Sequence, residues 1–401
     1  MTKITILVCG AGSPAHVIAG LAASRENIES RVLSLFEDEA ERFSNALKEG
    51  DLNLSINEGE DEPRIVKSKP RIVTKDPARA VKGANFVILT VSPGEQEEYL
   101  QAIAPHLEND TTIVGFPGHA GFEFLCFGTL KTKAKRCAVI SFESMPYASR
   151  IREFGRNVAI LGINEIVRGT MVRGKSKLPY DPFGVLQHVL GEFPALERYG
   201  NYLEPLLATS TIVNPAIMFG KWRDWDGTPL DSKPMFYQGI TEQDAKFLTG
   251  ISEECVEIAQ AITKKNPKIE LNWVIPLYDL FMEEYMDNVE DSSNLLSLMK
   301  TNSAYESVYH PMTKTEDDKF VPDFTSRYLT EDVPRGLAIS KGIGLLAGVK
   351  TVLHDKVLEW CQEKMGKEYL VRRNMKGKDI GETRCPQRFG FETLDDLLNI
   401  V

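Results

Sequence analysis

A glycine-rich turn near the N-terminus, set between an apolar run and a helical segment, constrains the fold of this chain more than any other feature. Residues Ile4–Cys9 are apolar, rich in β-branched side chains and followed by glycine, as is typical of a strand buried on both faces of a parallel sheet. Residues 15–23 then predict a helix. A second apolar run, Arg31–Phe36, predicts the next strand and completes a strand–helix–strand unit. Acidic residues follow it and favour the start of another helix, which ends at Gly50.

The rest of the first half continues this alternation. Residues 51–75 predict an exposed β-hairpin around the acidic turn Gly59–Pro63, and Asp76-Pro77 predicts a helix start. Further strand candidates, with helical segments between them, are Phe86–Val91, Thr112–Gly115, Ala138–Phe142 and Val158–Leu161. We therefore predict an α/β fold, with a Rossmann-type doubly wound domain over residues 1–200.

The second half is helical in pattern. Thr241 can cap a helix with one apolar face, and other helices are predicted at Pro205–Phe219, Trp273–Tyr285, Gly336–Ala347 and His354–Met365. A chain of 401 residues is longer than a domain with a single hydrophobic core usually is. We therefore expect a separate all-α C-terminal domain over residues 201–401. A cleft between the two domains is where we expect a small-molecule substrate.

Composition narrows the class of partner. The net charge of −10 argues against nucleic acid, and no stretch is apolar for long enough to span a bilayer. The N-terminus carries no signal-peptide pattern, so we expect a cytoplasmic protein. The six cysteines are far apart and no histidine stands at metal-ligand spacing from them, which predicts reduced thiols and no metal site.

The turn itself predicts a dinucleotide site, since it follows a strand and opens a helix. The expected cofactor-binding residues are Gly10, Ala11, Gly12, Ser13 and Ala15. Gly10 permits the tight turn, Gly12 lets backbone amides approach a pyrophosphate, and the small Ala15 keeps the helix close to the sheet.

Three further residues at predicted strand ends are candidates for the same cofactor: Phe36, Glu37 and Val91. Glu37 and its neighbour Asp38 could bind the ribose hydroxyls, or they could only favour a helix N-terminus. Arg42, which is close in sequence, could bind the extra phosphate of NADP. The prediction of NAD is therefore a preference over NADP.

Six stretches of the chain carry a family resemblance: residues 20–25, 31–36, 38–42, 141–146, 327–332 and 385–388. Together they resemble the octopine dehydrogenase group of invertebrate opine dehydrogenases, and the resemblance covers essentially the whole chain. It implies NADH-dependent reductive condensation of pyruvate, a 2-oxo acid, with the amino group of an amino acid or taurine. It also implies a monomer that regenerates NAD in anaerobic glycolysis.

The resemblance assigns catalytic and substrate-binding residues. Arg327 matches the arginine that binds the carboxylate of the oxo acid, and Asp332 matches the aspartate that orients a catalytic histidine. By itself, Asp332 would also suit a helix N-cap. The histidine position is Asn214 in this chain, and an asparagine cannot transfer a proton at neutral pH as imidazole does.

A second departure suggests another proton donor. His119 stands where the family has glutamine, in a loop after a predicted strand, and we hypothesise that it transfers the proton; it could instead only hydrogen-bond substrate or cofactor.

The family's substrate-lining stretch includes Glu143, Ser144 and Ser149. Glu143 could bind a guanidinium or ammonium group, or serve only a structural hydrogen bond. Ser149 replaces a cysteine of an arginine-using member, and Ala208 and Ser210 are also small, which favours an amine other than arginine. Two alternatives stay open: another hydride-transfer dehydrogenase on this scaffold, or a catalytically impaired dinucleotide or amino-acid binding protein.

Overall fold

A computed structural model of the chain describes residues 3–57 and 63–400. The contacts within it separate two compact units, of which the first ends at Tyr202 and the second spans Leu203–Ile400. The assignment of a cofactor role to the first unit and a substrate role to the second stays a prediction.

The first unit alternates strands and helices. Its strands are β1 (Ile4–Cys9), β2 (Ile28–Leu33), β3 (Leu52–Ile56), β4 (Arg64–Ser68), β5 (Ile72–Thr74), β6 (Phe86–Leu89), β7 (Thr112–Gly115), β8 (Ala138–Phe142), β9 (Tyr147–Glu153), β10 (Asn157–Ile163), β11 (Ile166–Arg173) and β12 (Ala195–Arg198). Its helices are α1 (Ser13–Ala23), α2 (Glu39–Glu49), α3 (Pro77–Val81), α4 (Gln96–Ile103), α5 (Phe122–Leu130) and α6 (Pro182–Leu190).

Within the described residues, eight strands form the main sheet, in the order β12-β11-β8-β7-β6-β1-β2-β5. Pairing is parallel from β8 across to β5, and β11 lies antiparallel to β8. The central strands β1, β6 and β7 are almost wholly buried, as expected for strands covered on both faces. The predicted α/β fold class is confirmed.

A smaller sheet, ordered β4-β3-β10-β9, packs on α1. It contains the predicted hairpin: β3 pairs antiparallel with β4, while residues 59–62 of the predicted turn lie outside the described residues. The strand predicted at Val158–Leu161 is part of β10 and belongs to this sheet instead of the main one. Strands β9, β11 and β12 were not predicted, because polar residues interrupt their apolar pattern.

The second unit is predominantly helical. Its helices are α7 (Leu203–Leu206), α8 (Val213–Trp222), α9 (Glu242–Lys265), α10 (Leu277–Tyr285), α11 (Leu295–Thr301), α12 (Arg327–Thr330), α13 (Ala338–Ala347), α14 (Val352–Met365) and α15 (Leu394–Leu398). Short strands β13 (Met312–Lys314), β14 (Phe320–Pro322), β15 (Leu370–Val371) and β16 (Asn374–Met375) form small antiparallel pairs that the sequence pattern did not predict.

The boundaries of these helices follow local chemistry. Thr241 caps α9 through a capping box with Asp244, as its position predicted. The helix predicted over Pro205–Phe219 is broken into α7, a tight turn and α8. The break leaves Pro215 in the first turn of α8, where a missing N–H costs nothing.

In the described residues no helix combines the length and the apolar character that crossing a membrane requires. All six cysteines are free and buried, which confirms the prediction of reduced thiols.

His16 joins α1 to the smaller sheet. Its Nε2 accepts a hydrogen bond from the Gly155 amide at 2.9 Å, so Nδ1 carries the proton and donates to the Gly12 carbonyl at 3.0 Å. The ring stacks on Phe43 at 4.2 Å between centroids. Burial lowers the pKa of His16 to about 4, and the imidazole is therefore neutral in the folded protein at pH 7.

We predict that His16→Gln makes folding stability less sensitive to acid. In the native chain the His16 pKa is about 4, below the unfolded value of 6.5, so its stabilisation is complete above pH 6.5 and is lost as the pH falls toward 4. The loss amounts to at most about 3 kcal/mol. Glutamine can make both hydrogen bonds but does not titrate. Urea unfolding at several pH values measures the effect, and an equal loss of stability in both proteins over this range would contradict it.

Candidate functional site

The predicted cofactor residues follow the carboxyl ends of parallel strands. Loops after β1, β2, β6, β7 and β8 leave the main sheet at one edge, because these strands are parallel and adjacent. In open α/β sheets this edge is where ligands bind. It brings together Gly10–Ala15, Phe36, Glu37, Val91, His119, Glu143 and Ser144 in the same unit.

Gly10 is required by both backbone and packing. Its φ of +114° is disfavoured for other residues, and a Cβ there would lie 2.8 Å from Val91 Cγ1 and 3.2 Å from Thr90 Oγ1. Gly10 and Val91 are thus neighbours across β1 and β6, and the chain turns as tightly as the sequence predicted.

Gly12 differs, since neither its backbone nor its packing demands glycine. Its φ of −72° and ψ of −179° suit any residue, and a Cβ would meet only Pro14 Cδ, at 3.7 Å. Gly12 is also the N-cap of α1 and leaves that helix end without a side-chain cap. An uncapped helix N-terminus with open space at the N-cap fits a pyrophosphate, which backbone amides there would bind.

The other loop residues support this turn. Ala11 and Ala15 are buried, and a Cβ built on Gly10 would lie 3.9 Å from the Ala15 Cβ. Ser13 Oγ accepts a hydrogen bond from the Ile151 amide of β9 at 3.0 Å, which ties the loop to the smaller sheet. Ser149 lies on the same strand, two residues before Ile151, and is half-buried there.

The end of β2 presents an exposed aromatic ring followed by acids. β2 ends at Leu33, earlier than predicted, and Phe36 is 56% exposed. Glu37 has a φ of 34°, and its carbonyl accepts from Lys75 Nζ at 3.0 Å. Asp38 forms an ion pair with Arg42 at 2.9 Å. Both side chains of this pair are exposed.

His119 lies in a strained loop after β7. Its φ is 61°, a left-handed conformation, and its carbonyl accepts from the Phe122 amide at 3.2 Å. The preceding Gly118 approaches β8 so closely that a Cβ would lie 3.1 Å from the Ser141 Cα. The loop is therefore fixed against β8, with His119 half-buried at the ligand-binding edge.

Glu143 is engaged in structural hydrogen bonds. Its Oε1 accepts from the Arg168 amide at 3.0 Å and its Oε2 accepts from Tyr199 Oη at 2.8 Å. Both oxygens of this exposed carboxylate thus hold β8 to neighbouring segments, one of the two roles considered for it. Ser144, the next residue, is half-buried.

The helical unit brings together residues that are far apart in sequence. Asn214, in the first turn of α8, donates from Nδ2 to Asp332 Oδ2 at 2.8 Å. Asp332 makes no side-chain cap to the turn of helix that follows it, so the hydrogen bond to Asn214 replaces the N-cap role. Burial raises the pKa of Asp332, while the Asn214 hydrogen bond and the charge of Arg327 oppose that rise.

Tyr237 completes this group and was missed from the sequence. Its hydroxyl donates to Asn214 Oδ1 at 3.2 Å. In sequence it belongs to an aromatic group that is typical of core filling, and its neighbours Trp222 and Phe236 are indeed buried. No periodic pattern links position 237 to position 214, and the sequence offered no signal for the contact.

Arg327, at the start of α12, is exposed. Within residues 3–57 and 63–400 no carboxylate oxygen lies within 4.0 Å of its guanidinium, yet its charge lowers the pKa of both Asp332 and Tyr237. An arginine near this group but without an ion pair is suited to binding a substrate carboxylate.

Comparison with known proteins identifies the family. Residues 198–365 match the family described as NAD/NADP octopine/nopaline dehydrogenase, alpha-helical domain. The opine dehydrogenase of Haliotis discus hannai is 51% identical over 402 residues, which cover 100% of this chain and 99% of that protein. This chain belongs to the octopine dehydrogenase family.

Solved structures of octopine dehydrogenase agree. A complex with NADH and L-arginine matches with a TM-score of 0.90 at 43% identity, covering 99% of this chain and 98% of the other. A complex with NADH and pyruvate matches with a TM-score of 0.87 at 42% identity and the same coverage. The predicted family, fold class and NAD-dependent dehydrogenase class are confirmed, and the individual site residues stay predictions.

Substitution of the two glycines should separate folding from cofactor binding. Gly12→Ala leaves the fold intact, because the protein has room for the methyl group, but it should weaken NADH binding about tenfold or more. Gly10→Ala should lower stability as well, by about 1–3 kcal/mol, since it combines strain with a clash. NADH fluorescence titration and thermal unfolding measure the two effects. Unchanged NADH affinity in Gly12→Ala would contradict the assignment.

Proposed function

We propose that this chain condenses pyruvate with the amino group of an amino acid or taurine and reduces the product with NADH to an opine. The amine and the oxo acid form an imine and release water. A hydride then adds to the imine carbon and a proton to the nitrogen, which gives a secondary amine. The observation that carries the proposal is the grouping of Asn214, Asp332 and an exposed Arg327 in the helical unit, where no carboxylate oxygen of the described residues lies within 4.0 Å of the guanidinium.

The residues divide the work as follows. Arg327 binds the carboxylate of the oxo acid through its guanidinium fork. Asn214 positions groups by hydrogen bonding, and Asp332 holds Asn214.

The amine is proposed to be smaller than arginine. Both oxygens of Glu143 accept hydrogen bonds within the protein, and we propose a structural role for this carboxylate. Ser149 is a small side chain, as are Ala208 and Ser210. Alanine, glycine, β-alanine and taurine are the candidates, with Ser144 and Ser149 proposed to line the amine site.

One alternative is another hydride-transfer dehydrogenase on the same scaffold, such as one that reduces pyruvate or another oxo acid without an amine. Without a titrating group at position 214, the chain lacks the acid–base residue that the family's imine chemistry uses. The asparagine at position 214 also supports a further alternative, a catalytically impaired protein that binds a dinucleotide or an amino acid. His119 stays the candidate proton donor, and its half-buried position at the sheet edge is compatible with that role.

Monomeric state, cytoplasmic location and the regeneration of NAD in anaerobic glycolysis are proposed with the activity. They rest on family membership.

We predict amine-dependent oxidation of NADH. With pyruvate present, adding alanine, glycine, β-alanine or taurine should raise the rate of absorbance loss at least tenfold over pyruvate alone, and arginine should give less. Turnover with pyruvate alone would favour the simple oxo-acid reductase, and NADH binding without any turnover would favour the impaired protein. Either outcome would contradict the proposal.

Replacement of Arg327 by lysine tests the carboxylate role. Lysine keeps the charge but loses the two parallel hydrogen bonds, so we expect KM for pyruvate to rise about tenfold or more while the affinity for NADH is unchanged. Arg372→Lys, at an exposed arginine in the turn between β15 and β16, is the matched control. An unaltered KM in Arg327→Lys would show that Arg327 does not bind the oxo acid.

A further inference from the structure

The Asn214 amide lies between a donor and an acceptor. Oδ1 accepts from Tyr237 Oη at 3.2 Å, and Nδ2 donates to Asp332 Oδ2 at 2.8 Å. An ionised carboxylate only accepts and an amide NH₂ only donates, so each hydrogen bond has one direction. The chain of donors therefore runs from Tyr237 through Asn214 to Asp332.

Packing fixes the position of the Tyr237 hydroxyl. The ring stacks on Tyr305 with centroids 4.2 Å apart and meets the edge of Phe236 at 4.8 Å. Burial raises the pKa of Tyr237 to about 12, so the phenol keeps its proton through the neutral range and remains a donor. Asn214 thus has a rigid partner on its carbonyl side.

We propose that Tyr237 is a positioning residue, which holds the Asn214 amide in the orientation that donates to Asp332 and so makes the Asp332 carboxyl the titrating member of the group. Its catalytic consequence rests on the proposed function. A hydroxyl that donates to the amide oxygen also polarises the amide N–H and strengthens the bond to the carboxylate.

The charges around Asp332 set the direction of the expected effect. Burial raises its pKa, the neighbouring Glu331 raises it further, and Asn214 and Arg327 lower it. Removing the Tyr237 hydroxyl weakens the Asn214 contribution, so the pKa of Asp332 must rise. The other ionisable groups that act on Tyr237 are the phenols of Tyr285 and Tyr328.

A titration tests the proposal without requiring turnover. NMR of the Asn214 side-chain amide reports the ionisation of Asp332. These resonances are assigned by their loss in Asn214→Ala. In Tyr237→Phe we expect the midpoint to move upward by about 0.5 pH units or more. Tyr305→Phe removes a hydroxyl from the stacked ring, keeps the packing and should leave the midpoint unchanged.

Kinetics test the catalytic consequence. In Tyr237→Phe we expect kcat to fall about fivefold with KM for NADH unchanged, and the acid limb of kcat/KM to move upward with the NMR midpoint. Because Tyr237 acts through Asn214, the double variant Asn214→Ala/Tyr237→Phe should be no slower than Asn214→Ala.

Three results would overturn the proposal: an unchanged midpoint in Tyr237→Phe, an equal shift in Tyr305→Phe, or multiplying rate losses in the double variant. A wild-type chain that shows no amine-dependent turnover would refute the proposed function, and the NMR midpoints would still decide the role of Tyr237.

Discussion

Parallel pairing of β1 with β2 and β6 determines where chemistry can occur in the first unit. In register, Cys9 lies beside Leu33 and Leu89, so the three strands end together and their loops leave the sheet side by side. The tight turn at Gly10 and the open N-cap at Gly12 both depend on this edge. His16 then fixes the Gly12 carbonyl to the smaller sheet, which gives the turn a rigid support that needs no ligand.

In the helical unit, Asn214 stands at the position where the resemblance implies a histidine. An imidazole at this position could both hold and transfer a proton, whereas an amide can only orient its neighbours. The structure supplies those neighbours: Tyr237 on one side and Asp332 on the other. Burial raises the pKa of Asp332, and the hydrogen bond from Asn214 opposes that rise. The site therefore resembles a hydrogen-bonded support built around asparagine more than a histidine site that has lost its function.

Much of the fold was predictable because its signals are local. The apolar run at Ile4–Cys9, the glycines after it and the Thr241 cap each act over a few residues, and each appears in the structure where it was predicted. Strands β9 and β11 were missed because polar residues interrupt their apolar pattern. The contact of Tyr237 with Asn214 depends on tertiary packing, which no short pattern in a single sequence encodes.

For the predicted site residues, too, the sequence carries local signals, and the tertiary contacts appear only in the structure. Gly10 and Gly12 could be assigned from spacing, but only the structure shows that Gly12 has room for a methyl group. Glu143 could be placed at a strand end, but only the structure shows that both its oxygens are occupied. Arg327 and Asp332 came from the family resemblance, since an isolated arginine or aspartate carries no signal of its role.

The central claim is that hydride reaches the carbon of an imine formed from pyruvate and an amine. The direct measurement uses NADH carrying two deuterium atoms at C4, pyruvate and the most active amine, with mass spectrometry of the products. We predict an opine that contains one deuterium, on the carbon that was the carbonyl carbon of pyruvate. Deuterium found in lactate, with no labelled opine, would contradict the claim.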